Sequence, residues 1–286
     1  MPGTCRMILA TRDDELARAC ADDAIEALAA RFPGELELHR IAVEDPDERL
    51  SRAAADVAVH RGDQLPLRLP SDSVLAYLPR RAATDALIAH APLAALPPKA
   101  RIETSSARRR AMLLRARQDL AVEDERGHLT ERVESWRRGE SHGVITATAA
   151  VKRLGIDAPF YELDAAVFVP GAGQGAIACV GKAGSRFEEF LGGIDDERTH
   201  IEVEVERSIL LSLGGNADLP IGVRATKRGD SLMVHAVVLS ADGQRAATLK
   251  EAIDAKDALY HADDFSEKLR GLGADVLLAG AKAAPR

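Results

Sequence analysis

A chain of 286 residues with 46% apolar and 29% charged residues is long enough for more than one core and polar enough to be globular. Its net charge of −7 disfavours a nucleic-acid backbone as partner, so any anion site must be a local cluster of Arg and Lys. Cys5, Cys20 and Cys179 lack metal-ligand spacing, the N-terminal segment turns acidic at Asp13, and no apolar run reaches membrane-span length, which together point to a reducing, cytoplasmic setting.

Residues 5–10 form an apolar run that reads as a buried strand. Residues 13–31 then show helical spacing, with Leu16, Cys20, Ala24, Ala27 and Leu28 inward and Gly34 as the stop. Strands are expected at 35–41 and 56–60, and strand–helix–strand in this order predicts a parallel α/β layer. Further strands are expected at 74–78 and 86–90, before the prolines at 92, 97 and 98. A second α/β unit follows, with strands at 100–104, 120–123, 143–147 and 166–169 and helices at 106–117, 130–138 and 149–154. A strand at 176–180 and a long helix at 198–213 come next. The remainder reads as a meander at 223–226, 232–239 and 245–252, an amphipathic helix at 258–272 and a last strand at 274–279.

The strongest local signal is Thr104-Ser105-Ser106-Ala107-Arg108-Arg109-Arg110, where a strand hands over to a helix. Free N–H groups, the positive end of the helix dipole, hydroxyls and guanidiniums gathered there make an anion seat. The same residues also suit a capped helix with a solvated basic face. Arg126, Arg132, Lys152 and Arg153 follow later strand ends, where open α/β sheets place ligands, and several arginines on one rim suit a polycarboxylate or phosphate. The loop Pro170-Gly171-Ala172-Gly173-Gln174-Gly175 lacks dinucleotide-fingerprint spacing. Its glycines suit either close backbone approach to a ligand or a hinge. Asp164 and the acidic run 195–197 read as solvated, and Trp136 as a packing residue.

The ordered runs TSSARRRAMLLRARQDL, RGHLTERVESWRRGE, AVKRLG, VPGAGQGAIA, ERSILLSLGG and LPIG resemble the hydroxymethylbilane synthase (porphobilinogen deaminase) family. ILATRDDELA and ADVAVHRGDQLP resemble its first domain more loosely. The resemblance implies an α/β fold of three domains. Two are periplasmic-binding-protein-like (type II) α/β domains, at 1–80 with 174–195 and at 81–173, with an active cleft between them. The third, at 196–286, is a small α+β domain. It also implies that Arg12, Arg108, Arg109, Arg126, Arg132 and Arg153 bind the acetate and propionate groups of a pyrrole chain, that Ser106 contacts substrate, and that Gln174 is the hinge-loop glutamine.

Three departures from the family pattern fall on the reaction centre. The family carries a dipyrromethane cofactor on a loop cysteine before Pro-Ile-Gly; here Ala217 stands at that place, so no covalently bound cofactor is expected. Gln64 aligns with the family's catalytic aspartate, and Asp63 is the neighbouring candidate to replace it. Gln64 accepts a hydrogen bond but carries no charge. Only residues 43–55 fill the place of a longer lid. The expected partner is an anionic pyrrole or other polycarboxylate, with neither nucleic acid nor membrane, bound by a monomer. Three functions fit: a synthase condensing porphobilinogen, an enzyme using the same cleft for other chemistry, or a non-catalytic homologue partnering a competent synthase.

Overall fold

The computed structural model describes residues 4–124, 127–215 and 218–283. The chain opens with β1 (Cys5–Arg12), α1 (Glu15–Arg31), β2 (Leu36–Val43), α2 (Pro46–Ser51), β3 (Val57–Arg61) and β4 (Ser73–Tyr77). It continues with β5 (Asp85–Ile88), β6 (Arg101–Glu103), α3 (Ala107–Ala116), β7 (Ala121–Glu123), α4 (Leu129–Arg137), β8 (Gly143–Ala147), α5 (Thr148–Arg153) and β9 (Phe160–Glu162). The last segment holds β10 (Ile177–Lys182), α6 (Glu188–Ile194), α7 (Glu197–Ser212), β11 (Ile221–Arg228), β12 (Ser231–Leu239), β13 (Ala246–Asp254), α8 (Ala258–Gly271) and α9 (Ala274–Ala283).

Two five-stranded sheets share one winding. The first has the order β2-β1-β3-β10-β4 and the second β7-β6-β8-β5-β9. In each, three strands run parallel and the fourth position is antiparallel to both neighbours. That inserted strand is β10 in the first sheet and β5 in the second, each contributed from the far side of a chain crossing. A three-stranded antiparallel sheet, β11-β12-β13, completes the architecture. Two like-wound α/β sheets and a small α+β segment are the arrangement that the resemblance implies.

The described chain divides into two compact units, Met1–Arg81 with Gly175–His200, and Ala82–Gln174 with Ile201–Arg286. In the first, Asp14 caps α1 by accepting from the Ala17 N–H at 2.8 Å, and Cys20, Ala21, Ala24 and Leu28 face the sheet. Residues 45–51 form a short helix, capped by Asp45, with Pro46 and Leu50 buried. The second unit holds two cores. One lies between the second sheet and α3; the other is built from α7, the third sheet, α8 and α9.

Three sequence expectations are corrected. Residues 166–169 form a turn rather than a strand, held by Asp164, whose carbonyl accepts from the Phe168 N–H at 2.7 Å; the fifth strand of that sheet is β9 instead. Residues 274–279 belong to helix α9. An apolar run reads equally as strand or helix, and here Ala274, Leu277 and Leu278 face the core at helical spacing. Asp195 is also no solvated surface acid: it accepts from the Tyr77 N–H at 2.7 Å and pairs with His200 at 2.8 Å.

Val237 and Leu239 of β12 join the core beneath α3, so the third sheet is docked on that helix. The β12–β13 turn makes the closest approach. A Cβ on Gly243, whose φ is +71°, would lie 2.2 Å from the Ala111 carbonyl oxygen and 2.7 Å from the Arg115 nitrogen. Gly243→Ala is therefore expected to destabilise the chain by about 1–3 kcal/mol, read from the urea unfolding midpoint, with far-UV dichroism of the folded state unchanged.

Candidate functional site

Strand β6 ends at Glu103, and α3 begins four residues later, at Ala107. Ser106 caps the helix, its Oγ accepting from the Arg109 N–H at 3.4 Å, while its own N–H donates to Thr104 Oγ1 at 3.1 Å. The TSS run is thus a strand-to-helix turn stabilised by its own hydroxyls, and it sets Arg108 and Arg109 on the first turn of α3.

Both arginines meet Asp85, the fully buried first residue of β5. Arg108 grips it through Nη1 to Oδ2 at 2.7 Å and Nη2 to Oδ1 at 3.0 Å; Arg109 Nε donates to Oδ1 at 2.8 Å. Arg108 also donates to the Val169 carbonyl at 2.9 Å and to Gln174 Oε1 at 3.0 Å. Its four terminal N–H positions are therefore filled from inside the protein, and only 5% of its side chain is exposed. The Arg109 side chain is 15% exposed. Two guanidiniums share one carboxylate at the start of α3. Burial by itself would raise the pKa of Asp85, but the two adjacent guanidiniums outweigh burial and hold it at about 2.

Gln174 closes the cluster. Its Oε1 accepts from Arg108 and from Arg109 Nη2 at 3.2 Å, while its Nε2 donates to the carbonyls of Ala83 and of Thr84, the latter at 3.1 Å, and to Asp85 Oδ1 at 3.1 Å. It thereby ties the last residue of segment 82–174 to the first residues of that segment. The glycine loop before it is held from α7: the buried Glu206 carboxylate accepts from the Gly173 N–H at 2.8 Å, the Ala225 N–H at 2.9 Å and Arg224 Nη1 at 3.1 Å. Gly173 has a φ of +72°, which only glycine adopts without strain.

The other sequence candidates are more dispersed. Arg132, buried in α4, donates to the Glu103 carbonyl at 2.9 Å, so it joins the strand end that precedes the TSS turn. Arg153 ends α5 and is half-buried. In the first unit, Arg12 is exposed at the end of β1, in a recess it shares with Asp13, Asp14 and Glu44. Asp63 is gripped by Arg61 through two contacts of 3.2 Å, whereas Gln64 is exposed on the single 3₁₀ turn Gly62–Gln64. Arg126 and Ala217 lie outside the described residues.

Residues 35–187 match the family model for the dipyromethane cofactor binding domain of porphobilinogen deaminase, and residues 200–270 match its C-terminal domain. A probable porphobilinogen deaminase of Methanocella arvoryzae is 39% identical over 245 residues, covering 85% of this chain and 79% of that one. One from Methanococcoides burtonii is 33% identical, covering 95% and 96%, and the porphobilinogen deaminase of Rubrobacter xylanophilus is 35% identical, covering 83% and 86%. The chain belongs to the porphobilinogen deaminase family.

Dipyrromethane is the cofactor of that family, and its usual thioether anchor does not fit this member. The loop from Gly214 to Pro220 contains Gly, Asn, Ala, Asp and Leu but no cysteine. The thiols of Cys20 and Cys179 are buried in the core of the first sheet, and burial pushes Cys179 up to about 12. A thiol so enclosed stays protonated and inert.

Asp85, Glu206 and the exact engagement of Gln174 escaped the reading of the sequence. Asp85 gives one available signal, a charged residue heading the apolar run ALIA; Glu206 gives another, an acid on the helix face that carries Val203, Val205 and Ile209. Replacing Asp85 by Asn leaves Arg108 buried without its carboxylate, and the expected loss at pH 7 is about 3–5 kcal/mol. Because the folded pKa of Asp85 lies below its ordinary value, its stabilisation is present above about pH 4 and disappears as pH falls towards 2. Chemical unfolding of both forms should therefore give a stability gap that narrows across that window.

Proposed function

We propose that this porphobilinogen-deaminase-family protein binds porphobilinogen-type pyrrole carboxylates in tetrapyrrole biosynthesis, without a covalent dipyrromethane and with little turnover. The observation that carries the reading is the cationic cluster at the start of α3, where two arginines meet a single carboxylate and Arg109 keeps part of its side chain at the surface. A ligand carboxylate there receives charge-assisted hydrogen bonds, each contributing about 1.5–3 kcal/mol before ordering costs. In this reading the ligand carboxylates meet Arg109, Ser106, Arg132 and Arg153 of the second unit. Arg108 supports Arg109 rather than meeting the ligand, since its donors are filled.

Low turnover follows from chemistry at two positions. Loss of porphobilinogen's ammonia leaves a cationic carbon, and a nearby carboxylate stabilises that charge in a way that the neutral Gln64 amide does not. Asp63 is held by Arg61 and would have to release it to serve instead. A missing charge of this kind commonly costs about 3–4 kcal/mol, or two to three orders of magnitude in rate. Absence of a loop cysteine also favours a second reading, a non-catalytic or repurposed polycarboxylate-binding homologue that partners a competent synthase. The two readings share the ligand class and differ in turnover.

Calorimetric titration with porphobilinogen, a linear tetrapyrrole and citrate should show salt-sensitive binding that Arg109→Ala weakens by about tenfold or more. Unchanged affinity for every polyanion would refute the cationic-seat reading. Intact mass spectrometry of the purified protein should return the bare polypeptide mass; an adduct of two pyrrole rings would contradict it. Ammonia release from porphobilinogen should fall at least about a hundredfold below that of a competent synthase, with partial recovery in the double variant Ala217→Cys, Gln64→Asp.

A further inference from the structure

Glu103 is the last residue of β6, immediately before the TSS turn. It is only 4% exposed, yet its Oε2 has no hydrogen-bond partner among the described residues. The preceding residue, Ile102, packs into the apolar core with α3. By strand alternation the Glu103 side chain leaves from the opposite face. In register on β7, the neighbour is Glu123, so the adjacent side chain on that face is another acid and brings no donor. Arg132 does lie alongside, but its Nη2 contact is with the Glu103 main-chain carbonyl rather than the carboxyl group.

Enclosed acceptors without donors are rare in native proteins, because a desolvated carboxyl group gains nothing from the fold unless a donor reaches it. This one sits at the C-terminal end of a strand in a mixed α/β sheet, where such folds place their ligands, and it directly adjoins the arginine-bearing turn. A polycarboxylate alone has no use for an acid there. A molecule that carries both carboxylates and an N–H donor does.

We propose that Glu103 is a ligand-binding residue that accepts a hydrogen bond from the amine or pyrrole N–H of the ligand, while the start of α3 takes its carboxylates. The assignment rests on the pyrrole-carboxylate reading above and narrows it: the site selects amino- or pyrrole-bearing polycarboxylates over simple ones.

The test compares the full-length protein with Glu103→Gln, a change that keeps shape and removes charge. Each is titrated calorimetrically with porphobilinogen, which has an aminomethyl group and a pyrrole N–H, and with citrate, which has neither. Glu103→Gln should bind porphobilinogen at least about tenfold more weakly while binding citrate as tightly as before or more tightly. Should that variant fail to fold, Glu103→Asp, which withdraws the carboxylate by one methylene, is expected to give the same selective loss. If both ligands weaken equally, or neither changes although the unmodified protein binds both, Glu103 is a structural residue and the proposal is overturned. If the unmodified protein binds neither ligand, the pyrrole-carboxylate reading fails first and takes this inference with it.

Discussion

A single buried carboxylate organises the second unit. Asp85 lies at the head of β5, with both oxygens engaged by Arg108, Arg109 and Gln174. Desolvating an acid and two bases is costly, and a bidentate pair with its remaining donors satisfied is the arrangement in which their attraction offsets that cost. The geometry has a consequence beyond stability. One carboxylate meets two guanidiniums, so Asp85 fixes Arg108 and Arg109 together at the start of α3. Arg108 and Arg109 are held to each other through Asp85 and Gln174.

The same cluster is anchored at its far side by the C-terminal segment. Glu206 on α7 fixes the Gly173 N–H, the Val223 N–H donates to the Pro170 carbonyl at 2.8 Å, and the third sheet packs β12 against the core under α3. The C-terminal α+β segment thus buttresses the loop that presents Gln174. That task is independent of any thiol in the Gly214–Pro220 loop. It gives a physical reason for this segment to persist in a family member whose loop has lost the cysteine.

The chain keeps the family's fold segments and departs from its residue pattern at Gln64 and Ala217. The matched segments carry the fold, the TSS turn and most of the arginines. The departures fall on groups that would stabilise a cation or hold a covalent primer. Fold and ligand class are set by many residues acting together, so they survive single losses; a charge at a developing cation is one side chain, and its replacement is felt in full.

Hydrophobic periodicity in the sequence by itself determined the two α/β layers, the meander and six of the nine α-helices among the described residues, because residues 2 and 3.6 positions apart declare which face they bury. Motif order was enough to indicate the family, and the cysteine-free loop and Gln64 were legible as letters. The tertiary structure alone decided three things. It made residues 274–283 a helix, since a short apolar run carries no period of its own until a core supplies one face. It paired Arg108 with Asp85, a partner that stands 23 positions earlier on another strand. It also enclosed the Glu103 carboxyl group with no hydrogen-bond partner for Oε2 among the described residues. Whether a charged residue is solvated, paired or waiting for a ligand depends on neighbours brought together by long-range packing, and no local pattern encodes them.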